Sequence, residues 1–331
     1  MLINYFFFNI FLLIILIKFK ELISEKLNLI LYPSKKTFHK NKSYLLGGII
    51  LFQGYLINYF YVINNSDNYI YLSIFITFLF FLIAIIDDIG GVSPYLKIIF
   101  CCFVSYLVII NDVTLTIKTL NSLSLGILYF PDNIFIIIFF PILCLVIFVN
   151  AFNFIDGIDG LAVLVGLSIL LYLISKNFIL LNTLIILLSS IIIFTFLNFK
   201  HNFFLGDSGN YIISVTISII LIKENYLNPQ LYYVEEIFLL MMLPGLDFIR
   251  LFFKRIKNNK NPLFGDLDHL HHLMYYQFGH VKTLTYYLII VNLPLYIYLL
   301  LEINLYLIIL VTLTIYIFLI KKLSLKKYKE K

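Results

Sequence analysis

Polar residues interrupt two long apolar runs at positions 150–162. The stretch reads Asn-Ala-Phe-Asn-Phe-Ile-Asp-Gly-Ile-Asp-Gly-Leu-Ala, so that Asn150, Asn153, Asp156 and Asp159 recur every three residues. A helix cap would use one or two of these side chains, whereas all four would share roughly one face if the segment is helical. A charge at the edge of a hydrocarbon layer is costly unless something binds it. We therefore interpret this stretch as part of a binding or catalytic site.

Two further acidic motifs stand at the ends of apolar runs. Asp87 and Asp88 are adjacent in Ile-Asp-Asp-Ile-Gly-Gly, Lys97 begins the next run, and Asp207 lies in Phe-Leu-Gly-Asp-Ser-Gly-Asn at 204–210. Adjacent carboxylates repel each other unless a cation intervenes. Mg²⁺ takes carboxylate oxygens together with substrate phosphates, and helix N-termini attract phosphate. Taken singly, these residues could also be a solvated pair, an interfacial lysine and a helix cap.

A histidine cluster follows a basic segment at 254–260. His269, His271 and His272 lie in Asp-Leu-Asp-His-Leu-His-His-Leu at 266–273. Zinc is one interpretation, but no cysteine flanks the histidines, and a tetrahedral site would need a further ligand from elsewhere. A basic loop that donates hydrogen bonds to a diphosphate fits better, and a solvated loop is the alternative without function. Carboxylates or amides for a metal, with cationic donors for phosphate, are the groups that phosphoryl transfer requires.

Composition indicates the scaffold that must position these motifs. The 331 residues are 62% hydrophobic and 13% charged, which excludes an ordinary soluble domain with about 25% charged residues. Runs of roughly 17–25 apolar residues can cross a bilayer. We expect an all-α integral membrane protein, a single domain over 1–331 built as a bundle of 10 or 11 transmembrane helices. The eleven candidate spans are 3–18, 44–63, 69–86, 94–110, 133–150, 160–175, 178–198, 209–223, 234–253, 283–300 and 303–320.

Lysine and arginine predict the orientation. With the N-terminus outside and the first span retained, all but three of the 24 basic residues lie on one side, which is then cytoplasmic. The basic tail 321–331 lies on that side, facing anionic lipid heads, and the net charge of +6 needs no nucleic-acid partner. All the motifs described above also fall on this side. This agreement is independent, because only lysine and arginine were counted to predict the orientation. Residues 111–132 look like a polar external loop that could hold a short hairpin. The external acids are isolated: Asp67, Asp112, Asp132 and Glu224.

These motifs resemble those of the polyprenyl-phosphate N-acetylhexosamine-1-phosphate transferases (glycosyltransferase family 4). The resemblance covers about 35–272 and is strongest to the undecaprenyl-phosphate GlcNAc-1-phosphate transferase type. The matching motifs are Lys-Lys-x-x-His39 followed by Gly47-Gly48, Asp87-Asp88 with Lys97, Asn150-x-x-Asn153-x-x-Asp156-Gly-x-Asp159-Gly, Gly206-Asp207-Ser208-Gly209, and Asp266-x-x-His269-x-His271-His272.

The resemblance implies a cytoplasmic active-site groove in the bacterial inner membrane. It implies Mg²⁺-dependent transfer (Mn²⁺ being an alternative) of an N-acetylhexosamine-1-phosphate from a UDP-sugar to undecaprenyl phosphate, with release of UMP and initiation of a cell-surface glycan. Asp207 and Asn153 would hold the metal, and Asp87 with Asp88 would be catalytic, Asp87 as the candidate base. The implied substrate-binding residues are Lys97, Asp156, Asp159, Phe204, His269, His271 and His272.

Departures from the family pattern bear on the donor. Leu267 stands where related enzymes often carry arginine, Tyr44 replaces a proline, and no acidic residue follows the histidines as in the MurNAc-pentapeptide transferases. We therefore favour a simple N-acetylhexosamine donor, with the phospho-MurNAc-pentapeptide transferase as the rival. A transporter is the rival from another class, although transporters tend to place ionisable groups near the bilayer midplane, and an inactive scaffold is the third alternative. The sequence leaves open the exact sugar, the glycan pathway, the prenyl groove and a homodimer.

Overall fold

Helices form most of the chain. The computed structural model describes residues 1–32, 42–65, 73–131, 133–200, 203–261, 267–301 and 303–329. The helices are α1 Leu2–Lys18, α2 Lys20–Lys26, α3 Gly47–Asn65, α4 Ile74–Gly90, α5 Pro94–Asn111, α6 Ile134–Asn153, α7 Leu161–Lys176, α8 Ile179–Phe199, α9 Gly206–Leu227, α10 Val234–Leu240, α11 Met242–Lys257, α12 Leu270–Phe278, α13 His280–Leu301 and α14 Leu305–Lys329. The strands form two antiparallel pairs, β1 Ile30–Leu31 with β2 Ser43–Tyr44 and β3 Thr119–Ser122 with β4 Gly126–Tyr129.

The helices follow the apolar runs of the sequence. A helix occupies most of the described part of each of the eleven runs, which confirms an all-α protein, and β3–β4 is a hairpin within 111–132, where one was expected. The short helices α2 and α12 are additional, because neither belongs to a long apolar run. Within the described ranges, five helices are long and apolar enough to cross a membrane, or six if α1 and α2, bent by 70°, form one span. The number of crossings, 10 or 11, therefore stays a prediction.

The run at 234–253 is divided into α10 and α11 at Met241. Pro244 lies in the first turn of α11 and has no amide hydrogen to donate to a carbonyl of α10. The hydrogen-bond ladder therefore cannot continue through this point. Helix α11 also carries Asp247 and Arg250, which form an ion pair of 2.7 Å. Charged residues are thus not confined to the ends of the predicted spans.

Helix α9 lies in the middle of the bundle, against α3, α4, α6 and α7. It is buried from Ser208 to Asn225, although serine and threonine recur along it. From Ser214 onwards their hydroxyls bond to carbonyls of the preceding turn, as in the 2.7 Å bond from Ser214 to Asn210, which satisfies them without an external partner. Small side chains also let neighbouring helices approach closely. The N-terminus of α9, with Asp207, is therefore surrounded by the ends of other helices.

Two of the predicted external acids have partners in the structure. Asp112, at the end of α5, forms an ion pair of 3.0 Å with Lys223 of α9. Glu224 is buried and accepts a hydrogen bond of 2.6 Å from Asn177. The expectation that these acids are isolated is wrong, because the folded helices bring together residues that are far apart in sequence. This cluster fastens α5 to α9 at the end opposite Lys97 and Asp207.

Candidate active site

The first turn of α9 is capped by a side chain from α4. Asp88 accepts hydrogen bonds from the backbone amides of Asp207 (2.9 Å) and Ser208 (3.1 Å) and from the Ser208 hydroxyl (2.5 Å). The first amides of a helix have no partner within it, and a carboxylate there also complements the helix dipole. Gly206, with φ of 71°, leaves the necessary space, since a Cβ atom would lie 2.7 Å from Asp88 Oδ2. This contact fixes Asp207 relative to α4.

A lysine bridges the two other carboxylates at this point. Lys97 Nζ lies 2.7 Å from Asp87 Oδ2 and 2.5 Å from Asp207 Oδ2. The second oxygen of Asp87 accepts a hydrogen bond from the backbone amide of Val92. The lysine side chain is only 15% exposed, so the attraction is screened less than in a surface ion pair. One cation thus holds together the end of α4, the start of α5 and the start of α9.

The segment before α9 is fastened to the start of α3. The amide of Phe204 donates to the carbonyl of Tyr44 (2.8 Å), and the amide of Gly47 donates to the carbonyl of Phe204 (3.0 Å). A Cβ atom on Gly47 would lie 2.6 Å from backbone atoms of Leu205, and one on Gly48 would lie 2.0 Å from Ser208 Oγ. The glycine pair is therefore required for this close approach, which holds the segment before α9 against the start of α3.

The polar segment between α6 and α7 approaches the same helix end. Helix α6 ends at Asn153, and residues 154–160 form turns, so the four polar residues do not share one helix face. Asp156 Oδ2 accepts a hydrogen bond of 2.8 Å from Asn210 Nδ2 in α9. Burial, with the nearby charge of Asp207, raises the pKa of Asp156 to about 8. The backbone carbonyl of Asp159 accepts a hydrogen bond of 2.9 Å from His280 Nε2.

The histidine cluster lies on the backbone of this segment. A Cβ atom on Gly157 would lie 2.4 Å from His271 Nε2 and 2.5 Å from His272 Cε1. His269, His271 and His272 are all buried, and neighbouring rings lie 5.4 Å and 4.2 Å apart. Burial lowers the pKa of His271 well below its usual value, so this ring is neutral near pH 7. The cluster therefore offers a neutral imidazole group, that of His271, next to the acidic segment.

The structure brings five of the predicted site residues together around the start of α9. Direct contacts join Asp87, Asp88, Lys97 and Asp207, and Asn210 connects Asp156 to the same helix. Asn153 ends α6, which packs on α9. The side chain of Asp159 is partly exposed, and its charge raises the pKa of Asp156. Phe204 lies in the segment before α9, and His271 and His272 lie against Gly157, with the ring of His269 beside that of His271. The motif residues Lys35, Lys36, His39 and Asp266 lie outside the described residues.

Three further residues of this region, which the sequence motifs left without a role, make contacts at the site. Asn210 belongs to the quoted motif and lies one helical turn after Asp207, a spacing that could have identified it. Asp247 is an acid inside an apolar run, which is itself a signal, and its carboxylate accepts a hydrogen bond of 2.9 Å from His269 Nδ1. His280 follows a glycine after the histidine cluster, and nothing in the sequence connects it with Asp159.

The donor atoms of this region suit a hard divalent cation. Carboxylate and amide oxygens of the kind offered by Asp207 and Asn153 are the ligands that Mg²⁺ prefers, and no cysteine lies among them. In addition, Asn210 Oδ1 is buried and has no hydrogen-bond partner within the described part of the chain. An unsatisfied buried oxygen beside several carboxylates is consistent with a bound cation or water. The residues present therefore fit the implied metal.

Comparisons with known proteins point in the same direction. The chain is 27% identical over 271 residues to the undecaprenyl-phosphate alpha-N-acetylglucosaminyl 1-phosphate transferase of Yersinia pestis, which covers 76% of this chain and 71% of that protein. It is 24% identical over 279 residues to the probable undecaprenyl-phosphate N-acetylglucosaminyl 1-phosphate transferase of Bacillus subtilis (81% and 76%). The phospho-N-acetylmuramoyl-pentapeptide-transferase of Borrelia turicatae is 32% identical, but over 143 residues and 38% of each chain.

The family comparison covers the acidic part of the site. The model of glycosyl transferase family 4 matches residues 69–225, a range that contains Asp87, Asp88, Lys97, Asp156 and Asp207. These are the residues that the fold gathers around the start of α9. The matching motifs, their contacts and the similar proteins therefore make residues 69–225, the part of the chain that carries the acidic residues, similar to glycosyl transferase family 4.

Proposed function

We propose that this protein transfers an N-acetylhexosamine-1-phosphate from a UDP-sugar to undecaprenyl phosphate. The lipid phosphate oxygen attacks the β-phosphorus of the donor, the bond between the α-phosphate and the β-phosphorus breaks, and UMP leaves. The similar proteins of Yersinia pestis and Bacillus subtilis are named for this transfer to undecaprenyl phosphate. The product, a sugar joined to the lipid through a diphosphate, would begin a cell-surface glycan.

The joint contact of Lys97 with Asp87 and Asp207 carries the proposal. A reaction that joins two phosphate-bearing substrates needs cationic groups where their charges meet. Lys97, in the first turn of α5, places such a cationic group between Asp87 and Asp207. Substrate phosphate oxygens would compete with the carboxylates for its ammonium group, so that Lys97 can move from a carboxylate to a phosphate.

The three acids Asp87, Asp88 and Asp207 would then have different roles in the reaction. An ion-paired carboxylate is a weak proton acceptor, so Asp87 would become a better base for the lipid phosphate proton when Lys97 turns to substrate. Asp88 holds the amide of Asp207 and would keep that carboxylate oriented. Asp207 and Asn153 would hold Mg²⁺ or Mn²⁺, which would offset the charge of the donor diphosphate.

The other predicted residues would recognise the donor. Asp156 and Asp159 would contact the nucleotide, and Phe204, fixed to the start of α3, would pack near the uracil. The buried histidines would meet the diphosphate or the sugar. The phospho-MurNAc-pentapeptide transferase stays the rival reaction, but the Borrelia turicatae protein matches only 38% of this chain, and no acidic residue follows the histidines.

Membranes that contain the protein provide the test. With undecaprenyl phosphate and a panel of UDP-N-acetylhexosamines, we expect the lipid-diphosphate-sugar and UMP to form only when Mg²⁺ or Mn²⁺ is present. Asp207→Ala should abolish the reaction without loss of protein, whereas Asp112→Asn, which alters an ion pair at the other end of the bundle, should retain it. Full activity of Asp207→Ala would refute the metal assignment. Transfer of phospho-MurNAc-pentapeptide alone would favour the rival reaction, and substrate flux without UMP would favour a transporter.

The membrane orientation is part of the proposal. The site would face the cytoplasm of the bacterial cell, with the N-terminus outside and the tail 321–331 inside, because the basic residues concentrate on that side. Reporter fusions to the tail and to the hairpin β3–β4 would test this arrangement. Activity of a cytoplasmic reporter at the hairpin would contradict it.

A further inference from the structure

A carboxylate outside the acidic cluster connects three helices near the histidines. Asp247 is 4% exposed, and its Oδ1 accepts hydrogen bonds from Arg250 (2.7 Å) and the Tyr316 hydroxyl (3.2 Å). Its Oδ2 accepts hydrogen bonds from His269 Nδ1 (2.9 Å) and the backbone amide of Leu270 (3.0 Å). One oxygen therefore faces α11 and α14, while the other faces the start of α12.

The partners of His269 select one tautomer. A carboxylate can only accept, so Nδ1 must carry the proton that it shares with Asp247. On the other side of the ring, Arg255 Nη2 lies 3.4 Å from Nε2, and a guanidinium group can only donate. His269 Nε2 is therefore placed as an acceptor, and the contacts select the Nδ1–H tautomer. This follows from the contacts alone.

Ring stacking couples the orientation of His269 to that of His271. Its ring stacks on Phe154 at 5.3 Å and on His271 at 5.4 Å, with interplanar angles of 22° and 17°. His271 Nε2 is buried, lacks a hydrogen-bond partner among the described residues and lies next to the backbone of Gly157. A change in the tilt of His269 would therefore move an available imidazole nitrogen relative to the acidic segment.

A metal site is the competing interpretation of these residues. Ligand atoms of Asp247, His269 and His271 lie within 4.8 Å of one another. However, Arg250 and Arg255 already lie beside this carboxylate and the His269 ring, and their two positive charges repel a further cation. In addition, both oxygens of the Asp247 carboxylate already accept hydrogen bonds from the protein. The contacts therefore favour a carboxylate–histidine pair over a metal centre.

We infer that Asp247 is a positioning residue, which acts on substrate through His269 and the stacked His271. The inference rests on the proposed function, because it assigns the histidines to the donor diphosphate or sugar. A positioning carboxylate of this kind typically contributes about 10- to 100-fold to the function of the histidine that it orients. Asp247 itself touches neither substrate.

Kinetics of sugar-phosphate transfer test the coupling. We expect Asp247→Asn to lower kcat/KM by roughly 10- to 100-fold. Tyr316→Phe, which removes a hydroxyl bonded to the opposite oxygen and to Arg250, should stay close to wild type. If Asp247 acts through His269, the double variant Asp247→Asn/His269→Gln will be no slower than His269→Gln alone. Independent losses that multiply in the double variant, or wild-type rates in Asp247→Asn, would overturn the inference.

A spectroscopic readout does not depend on activity. In protein labelled with ¹⁵N-histidine, the His269 signals, identified by their loss in His269→Gln, should report a protonated Nδ1 and an unprotonated Nε2. Asp247→Asn should change this pattern. A protonated Nε2 in the wild type, or an unchanged pattern in the variant, would refute the positioning role even if the enzyme were inactive. Wild-type membranes without transfer activity would instead contradict the proposed function, which keeps the two failures distinct.

Discussion

The carboxylate of Asp88 lies 2.9 Å from the backbone amide of Asp207, so two of the acids in the site are joined through a helix cap. Acids at the C-terminal end of α4 oppose that helix's own dipole. The free amides of α9 offset this cost for Asp88, and the ammonium group of Lys97 offsets it for Asp87. The adjacent pair Asp87-Asp88 thus has two different environments, and we expect its two members to respond differently to substitution.

Replacement of Asp88 by asparagine should affect the site through Asp207. Asparagine offers one acceptor oxygen where the carboxylate accepts three hydrogen bonds, so part of the cap is lost. We expect the free energy of unfolding to fall by about 1 kcal/mol and transfer activity to fall by roughly 10- to 100-fold. Thermal unfolding and initial rates would measure both. Asp112→Asn is the control, and an equal loss of activity in the two variants would contradict the role of the cap.

Lys97 should compete with a metal ion for Asp207. Its ammonium group lies 2.5 Å from Asp207 Oδ2, and two unit charges at about 4 Å interact by about 4 kcal/mol near a protein surface. Lys97→Met should therefore abolish transfer and yet bind Mn²⁺ at least about tenfold more tightly without substrate, a change of about 1.4 kcal/mol. Electron paramagnetic resonance of free Mn²⁺ would measure this. Lys97→Arg retains the charge and should not show the gain. Unchanged or weaker Mn²⁺ binding in Lys97→Met would exclude the competition.

Gly157 should tolerate no side chain. A Cβ atom would lie 2.4 Å from His271 Nε2, so Gly157→Ala must displace either the histidine cluster or residues 154–160. We expect transfer activity to fall by at least tenfold, since displacement by about 1 Å can cost a hundredfold. Gly245→Ala in α11 is the matched control, because no atom lies within 4 Å of the added carbon. It should be neutral or stabilising by up to about 1 kcal/mol. Equal activity of the two variants would show that the histidines need not approach Gly157.

Asp156 should make stability depend on pH. Its pKa is raised to about 8 by burial and by Asp207, whereas an unfolded aspartate has a pKa of about 3.9. Between these values the folded protein keeps a proton that the unfolded chain has released, so this contribution to stability is lost as the pH rises towards 8. In a chelator, wild-type Tm should fall from about pH 5.5 to about pH 8.5 more steeply than Tm of Asp156→Asn. Parallel curves for the two proteins would disprove the shift.

Local sequence patterns selected most residues of the candidate site, because such patterns depend only on neighbours in the chain. The acids and amides stand at the ends of apolar runs, where an unbound charge is costly, and Asn153, Asp156 and Asp207 could be selected on that ground alone. Asp247, an acid inside an apolar run, carries the same signal, but its partner could not be identified from the sequence, and His280 carries no such signal. Their partners, His269 and the carbonyl of Asp159, are separated from them by loops and helix turns whose course depends on packing.

The sequence by itself determined the class of the protein and the chemistry available to it. Apolar length predicts the helices, and the basic residues predict that all the polar motifs share one side. Only the tertiary structure decided which polar groups contact each other: that Asp88 caps α9, that Lys97 lies between Asp87 and Asp207, and that the histidines lie on Gly157. Hydrophobic periodicity acts over a few residues, whereas these contacts depend on how glycine-lined helix ends fit against each other across the bundle.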